Sequence, residues 1–530
     1  MDHLLKRRLS EFITKETAAR AGIKKQKGDT DPLITALEYD SRKVTPGTLF
    51  FALPGLHANG HTFIDEAIAR GAAAVVHEAD IHERKPGITY LKTGNSRFAM
   101  SPVAAAFYGF PSHRLLVAGV TGTEGKSTTV YLIWQLLRFL GKKAGLISTV
   151  HHSGGNEAQW NPEHQTTPEA TTVQRMLREM ADNGCAYAVV EASSHGLSPR
   201  TNRLGDVVFD AAAVTNVTHE HLEFHGSWEQ YRDDKANLFR ALDHRFAKTG
   251  IDGAATIPEP FGVINADDNS AGFFGGVTQS KTLMFSVSGK DADLTLRAIE
   301  SSAYGNWYNV LIGGEEADAV DIRDRLPGMF NAGNVLAAML VVSGLTGVPI
   351  RKIVPLCARL QPVRGRMTAV NKGQPFEVLV DYAHTPSSFG TIFPPLRKRL
   401  NRSGGRIISL FGSAGERDIK KRAEQGKIAA AWSDYIVLAD EDPRGEIPMD
   451  ILEQIAAGIH EEKPDSLRRD EHLFLIPDRP AAIRKALSLA RPGDLVLLLG
   501  KSHENSIIYK DHVMPFDEIS EAEKALEELL

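Results

Sequence analysis

Eight residues constrain this chain more than any others: Thr121-Gly-Thr-Glu-Gly-Lys-Ser-Thr128, set between the apolar run Leu115-Leu-Val-Ala-Gly-Val120 and the helical pattern Val130-Tyr-Leu-Ile-Trp-Gln-Leu-Leu137. A strand, a glycine-bearing turn and a helix in immediate succession predict an α/β unit with a buried parallel sheet. The turn then lies at the strand's C-terminal end, where phosphate is held. Gly122 and Gly125 let backbone N–H groups approach phosphate oxygens, with Thr123, Glu124 and Thr128 completing the loop. Lys126 supplies a cation for the outer phosphates, and the Ser127 hydroxyl can ligate Mg²⁺. The usual spacing has Gly or Ala six positions before the lysine; this chain has Val120, so the turn is a variant.

With 530 residues, the chain is too long for one core and predicts about three domains. A net charge of −5 without a basic stripe argues against nucleic acid as a partner. Anionic ligands must be met locally, by loops and single arginines. No window reaches the roughly 18 apolar residues of a membrane span, and Met1-Asp-His-Leu-Leu-Lys-Arg-Arg8 is too charged for a signal peptide. A cytoplasmic monomer is expected. Cys185 and Cys357 lack partners at zinc-ligand spacing and read as small buried apolar groups.

The α/β alternation divides the chain at 1–113, 114–360 and 361–530. In the first part, Thr48–Leu53, Ala73–Val76 and Gly87–Leu91 read as strands and Phe63–Arg70 as a helix. The middle part adds strands at Ala186–Glu191, Ala211–Asn216 and Phe261–Asn265, a β-rich patch over Lys281–Val310, and a helix from Asn334. The last part alternates strands at Phe376–Asp381, Arg406–Phe411, Tyr435–Ala439 and Asp494–Gly500 with helices at Pro448–Ile459 and Arg479–Ala490. That is a doubly wound, Rossmann-like sheet with its sites at the strand C-termini.

At strand ends in the middle part stand Glu191-Ala-Ser-Ser-His-Gly196 and Asn216-Val-Thr-His-Glu-His-Leu-Glu-Phe-His225, followed by Tyr231-Arg-Asp-Asp-Lys235. Hard cations beside a nucleotide need carboxylate or imidazole ligands. Glu191 and His221 are the natural candidates.

In order and spacing these motifs resemble the Mur ligases, ATP-dependent amide-forming enzymes of peptidoglycan synthesis, from about residue 38 to 510. The likeness is to members that add the third amino acid. It implies the three-domain Mur architecture and a reaction joining a diamino acid to UDP-N-acetylmuramoyl-L-alanyl-D-glutamate, with ATP and Mg²⁺. Lysine, ornithine and meso-diaminopimelate all remain open as the diamino acid.

The resemblance also implies roles. Asp40-Ser-Arg42 and Leu53-Pro-Gly-Leu-His-Ala-Asn-Gly-His61 would place Ser41, His57 and Ala58 on the UDP-sugar. Gln165, Thr166, Thr167 and Ser193 would hold the muramoyl dipeptide, with Arg203 as the carboxylate-binding arginine and Arg200 as its rival. Lys235 matches the family's carbamylated lysine, whose N-carboxylate is a Mg²⁺ ligand beside Ser127, Glu191 and His221. Asn331 and Asn334 match the adenine segment, Arg366 the hinge, and Asp381 the ribose-side motif Asp381-Tyr-Ala-His-Thr-Pro386.

For the incoming amino acid, the likeness points to Arg417 for its α-carboxylate, to Glu441-Asp442-Pro443-Arg444 as the specificity loop and to Gly500-Lys-Ser-His-Glu504, whose Glu504 would pair with an ammonium. Diaminopimelate-adding members typically read Asp-Asn-Pro-Arg in the second of these, so Arg444 agrees with them and Asp442 does not. Glu124 where Asn is common and Ser502 where Gly is common are further departures. Folylpolyglutamate synthase, which lacks the UDP-binding first unit, a P-loop ATPase or kinase acting as a switch or on a small molecule, and a catalytically silent Mur-like binding protein are the competing readings.

Overall fold

The computed structural model describes residues 5–530 except 29, 56–58, 162–164, 219–221, 245, 249–250, 252–256, 303–304 and 402. Contacts divide the chain into two compact units, residues 1–286 with 336–353, and residues 287–335 with 354–530.

The first unit carries two sheets. In the smaller, the parallel strands Ala36–Glu38, Thr48–Phe51, Ala72–His77 and Thr89–Thr93 lie in chain order. Ile23–Lys27 closes the edge antiparallel to Thr89–Thr93, so a stretch upstream of the recognised motifs belongs to this domain's core sheet. The larger sheet is built on parallel strands in the spatial order Ala144–Ile147, Tyr187–Glu191, Leu116–Thr121, Ala211–Val214, Phe261–Asn265 and Lys281–Ser286. Its central strands are buried along their whole length, which is why they read as continuous apolar runs without alternation.

The connection after Leu116–Thr121 leads toward one edge of this sheet and that after Ala211–Val214 toward the other. Such a reversal opens a crevice at the carboxyl ends of the two strands. The turn at 122–125 and the Thr215–Asn216 segment stand there. The helix Ala170–Asp182 covers the sheet with Val173, Leu177, Met180 and Ala181, the spacing of one helical face.

The second unit holds an antiparallel set, Leu294–Ser302, Gly305–Ile312 and Glu315–Arg323. It also holds a parallel sheet in the order Glu377–Asp381, Leu495–Leu499, Ile407–Phe411, Tyr435–Leu438 and Leu473–Leu475. Helices Pro386–Leu400, Lys420–Trp432 and Pro448–Glu462 pack on one face; Arg479–Ser488 and Glu518–Leu529 pack on the other. Both cysteines are buried and neither forms a disulfide, and burial pushes the Cys357 thiol up to about 12. Among the described residues, no helix is long and apolar enough to cross a membrane.

Candidate active site

The phosphate turn is held open from the neighbouring strand end. Thr123 N donates to Asn216 O at 2.8 Å, Glu124 N to Asn216 Oδ1 at 2.9 Å, and Thr215 Oγ1 to Glu124 O at 2.5 Å. Gly122 has φ +148, and a Cβ there would collide with Thr215 Oγ1, so both dihedral and space require glycine. Gly125, at φ +84, starts the helix Lys126–Phe139. The first N–H groups of a helix lack intrahelical acceptors and carry the positive end of its dipole. Lys126 folds back over the turn, its Nζ donating to Thr123 O at 2.7 Å.

Glu191 ends its strand directly beside this turn. Ser127 Oγ donates to Glu191 Oε1 at 2.8 Å, while the other carboxylate oxygen accepts Thr149 N at 2.8 Å. Ser127 and Glu191 are both buried, leaving the pair in a low-dielectric setting. Lys235 reaches the same place from the helix Trp228–Arg240: its side chain is 1% exposed and Nζ donates to Gly122 O at 2.6 Å. Of the three histidines in the motif, His219 and His221 lie outside the described residues. His225 is buried, with its ring nitrogens hydrogen-bonded to Asp234 Oδ2 at 2.8 Å and Ser194 Oγ at 3.0 Å. It braces two helices and does not face the turn's hydroxyls. Among the described residues, no group of three or more His, Cys, Asp or Glu could hold a metal by itself.

Along the same sheet edge, Thr167 Oγ1 donates to Glu191 O at 2.8 Å and accepts Ser193 N at 2.9 Å. Arg203 joins this group, donating to Thr167 O at 2.7 Å and Glu169 Oε1 at 2.9 Å, and Arg97 shares the Glu169 carboxylate. Arg203 Nε is buried without a hydrogen-bond partner among the described residues. Arg200 is exposed and bonds Phe224 O. The geometry separates the two rivals: Arg203 stands with Thr167 and Ser193, and Arg200 does not. Gln165 is exposed and Thr166 half-buried.

Arg203→Met is expected to raise the KM for the dipeptide-bearing substrate about tenfold or more, the worth of a charged hydrogen bond at about 1.5–3 kcal/mol. Arg200→Met should leave that KM within twofold. Steady-state kinetics on both variants checks this, and equal effects would remove the assignment.

In the small N-terminal sheet's domain, Asp40 caps the turn Ser41–Lys43 by accepting Arg42 N, and Ser41 Oγ donates to Glu66 Oε2 at 3.2 Å. The Arg42 guanidinium beside Asp40 holds its carboxyl below the usual range. His57 and Ala58 lie outside the described residues.

The second unit gathers the remaining residues at its strand ends. Asp381 is buried and accepts Met367 N at 2.7 Å and Ala383 N at 2.8 Å; burial raises its carboxyl's pKa. The Arg366 guanidinium lies 4.7 Å from the Tyr382 ring centroid. Asn331 and Asn334 are buried and joined at 3.0 Å, with Asn331 Nδ2 donating to Pro327 O at 2.6 Å. Arg417 is exposed. Glu441 is buried beside Gly500, and its Oε2 and Arg444 Nε have no hydrogen-bond partners among the described residues. Arg444 holds a left-handed φ of +53 within a loop fixed by Pro443 and by Arg444 N donating to Ile508 O at 2.9 Å.

Sequence reasoning expected Glu504 to meet a substrate ammonium. In the structure it meets one supplied by the chain: the buried Lys501 Nζ bonds both Glu504 and Asp442, the latter at 2.8 Å. Lys501 sits inside a recognised motif but carried no assigned role. The sequence carries no signal for its placement between Asp442 and Glu504, 59 and 3 residues away. Tyr382, whose hydroxyl donates to Glu504 Oε1 at 3.3 Å, was likewise missed.

Family models match three stretches: the Mur ligase family catalytic domain over 33–103, the Mur ligase middle domain over 120–342, and the Mur ligase glutamate ligase domain over 365–502. A Treponema denticola protein named UDP-N-acetylmuramyl-tripeptide synthetase is 50% identical over 518 residues, covering 94% of this chain and 95% of its own. This chain belongs to the Mur ligase family. A Geobacillus kaustophilus UDP-N-acetylmuramoyl-L-alanyl-D-glutamate--2,6-diaminopimelate ligase is 36% identical over 498 residues, covering 94% of this Mur ligase and 96% of its own length. A solved structure of a UDP-N-acetylmuramoyl-L-alanyl-D-glutamate--2,6-diaminopimelate ligase superposes with a TM-score of 0.59 at 26% identity, covering 94% of this chain and 95% of the other.

Proposed function

We propose that this Mur ligase joins a diamino acid to UDP-N-acetylmuramoyl-L-alanyl-D-glutamate in peptidoglycan synthesis, working in the cytoplasm at the cost of ATP. The observation that carries the reading is the Ser127–Glu191 contact at 2.8 Å on a phosphate turn, in a chain half identical over 94% of its length to a named tripeptide synthetase.

A carboxylate and an amine do not condense in water unless the carboxylate is activated. In the proposed reaction the D-glutamyl side-chain carboxylate attacks the γ-phosphorus of ATP, ADP leaves, and an acyl phosphate forms. The amine then adds to the acyl carbon and phosphate is expelled, leaving an amide. Phosphoryl transfer of this kind depends on positioning and charge stabilisation, with no protein nucleophile. The turn's amides and Lys126 hold the triphosphate, Arg203 with Thr167 and Ser193 holds the dipeptide, and Arg203 Nε retains an unused donor for a carboxylate. Arg417 and Glu504 orient the incoming amino acid.

The paired oxygens of Ser127 and Glu191 suit a hard cation, and these two residues, with His221 and an N-carboxylated Lys235, would hold Mg²⁺. When bound, it neutralises charge on the phosphates.

For the third amino acid, the site offers the Arg444 guanidinium for a distal carboxylate and the Glu441 carboxylate for a distal ammonium, each with a buried atom that has no hydrogen-bond partner among the described residues. Incubation with ATP, Mg²⁺ and UDP-N-acetylmuramoyl-L-Ala-D-Glu against lysine, ornithine and meso-diaminopimelate separately, read by product mass, is expected to give one strongly preferred tripeptide with stoichiometric ADP. ATP hydrolysis without any tripeptide would defeat the proposal.

A further inference from the structure

Ser502 keeps a backbone that favours glycine, with φ +47. A serine in the left-handed region is strained, so something must hold it there. Its hydroxyl donates to the carbonyl of Gly365, 137 residues earlier, in the turn that carries Arg366. The approach is close on both sides: Gly365, at φ +78, could accept no Cβ without meeting Ser502 Oγ and His503 N. The turn's flanks are fixed as well. Arg364 pairs with Asp517 at 2.8 and 2.9 Å, and Met367 N donates to Asp381 Oδ2.

A second connection runs parallel to this one. Tyr382 lies between the Arg366 guanidinium, 4.7 Å from its ring centroid, and the His503 ring, 4.3 Å away, while its hydroxyl bonds Glu504. Glu504 continues through Lys501 to Asp442. A nucleotide-side arginine and an amino-acid-side carboxylate thus share one frame, and Ser502 is its additional fastening.

We propose that Ser502 is a positioning residue: its bond to Gly365 clamps the loop Gly500–Glu504 onto the turn Val363–Met367, so that Arg366 and Glu504 are set in place together. The inference rests on the proposed ligase reading for the roles of those two residues, but the clamp itself does not.

Two variants of the full chain separate clamp from strain. Ser502→Ala removes the hydroxyl and keeps the strained backbone; Ser502→Gly removes both. In each, the apparent KM for ATP and for whichever of lysine, ornithine and meso-diaminopimelate the unaltered chain uses should rise about 3–10-fold, the worth of one hydrogen bond. The KM for the UDP-muramoyl dipeptide should stay unchanged. The melting temperature of Ser502→Gly should equal or exceed that of the unaltered chain, so lost stability cannot explain its KM values.

Hydrogen exchange of peptides spanning 500–505, without any substrate, should quicken several-fold in both variants while the strand Leu495–Leu499 keeps its protection. Unchanged exchange would overturn the clamp, and unchanged KM values for ATP and the amino acid in active variants would overturn its positioning role. If the unaltered chain makes no tripeptide, the ligase reading fails, and the exchange measurement still judges the clamp.

Discussion

Lys126→Ala is expected to lower turnover by on the order of 10³-fold or more, the scale of losing a preorganised charge from a water-poor site. Lys126 is half-buried at the first turn of its helix, with its ammonium 2.7 Å from Thr123 O, inside the curve of the turn. Among the described residues no buried carboxylate pairs with it, so the fold should survive: Asn216 and Thr215 hold the turn through Thr123 N and Glu124 without the lysine. The loss should appear in kcat with an unchanged melting temperature and circular dichroism spectrum. A folded variant turning over at a near-normal rate would mean that the triphosphate is held elsewhere, and the ligase reading would go with it. Because Gly122 and Gly125 still present backbone N–H groups, residual nucleotide binding is compatible with the prediction; residual catalysis is not.

What could be read from the sequence follows from how local each feature is. The strand Leu116–Thr121 and its helix were legible because six buried residues, a turn and an amphipathic run are contiguous. Strands such as Tyr187–Glu191, Phe261–Asn265, Glu377–Asp381 and Leu495–Leu499 lie within one or two residues of their expected ends, since strands buried on both faces leave continuous apolar runs, whereas the short parallel strands Ala36–Glu38, Ala144–Ile147 and Leu473–Leu475 were not expected. The edge strand Ile23–Lys27 escaped for the opposite reason: its sequence, Ile-Lys-Lys-Gln-Lys, is polar, and only its pairing with Thr89–Thr93 makes it a strand.

The same division holds at the site. Residues inside one motif were placed together correctly, as with Ser127 and the turn. Contacts between distant stretches were invisible: Thr149 N on Glu191, Asn216 on the turn, Lys501 between Asp442 and Glu504, and Ser502 on Gly365. Two departures from the family pattern were flagged in the sequence, Ser502 and Glu124. Ser502 acquired a meaning once its φ and its partner were known; nothing in the structure explains Glu124 in place of Asn. The choice between Arg200 and Arg203 also needed coordinates, because two arginines three positions apart carry no signal about which guanidinium reaches Thr167.

Lys235→Ala is expected to cost about 10²-fold or more in kcat, and formate or acetate is expected to restore part of the loss. A lysine on the helix Trp228–Arg240 that is 1% exposed, with Nζ 2.6 Å from Gly122 O and 4.3 Å from the Tyr231 ring, occupies the edge of the phosphate turn, where an ordinary surface lysine has no reason to be. If its ammonium gives up two protons as the nitrogen bonds the carbon of CO₂, the side chain changes from cation to anion. Beside Ser127 and Glu191 that supplies a third oxygen donor, the kind of ligand Mg²⁺ takes. A small carboxylate could then fill the space an alanine leaves.

The competing role is purely structural, with the ammonium pinning the Gly122 carbonyl. That role predicts a lowered melting temperature, no response to added carboxylates, and partial retention of activity in Lys235→Arg, which keeps a donor but cannot be carbamylated. Carboxylate rescue of Lys235→Ala with an inactive Lys235→Arg would establish the anionic role. The reverse pattern would leave Lys235 as a brace for the turn and shift the missing ligand to the neighbouring histidine motif.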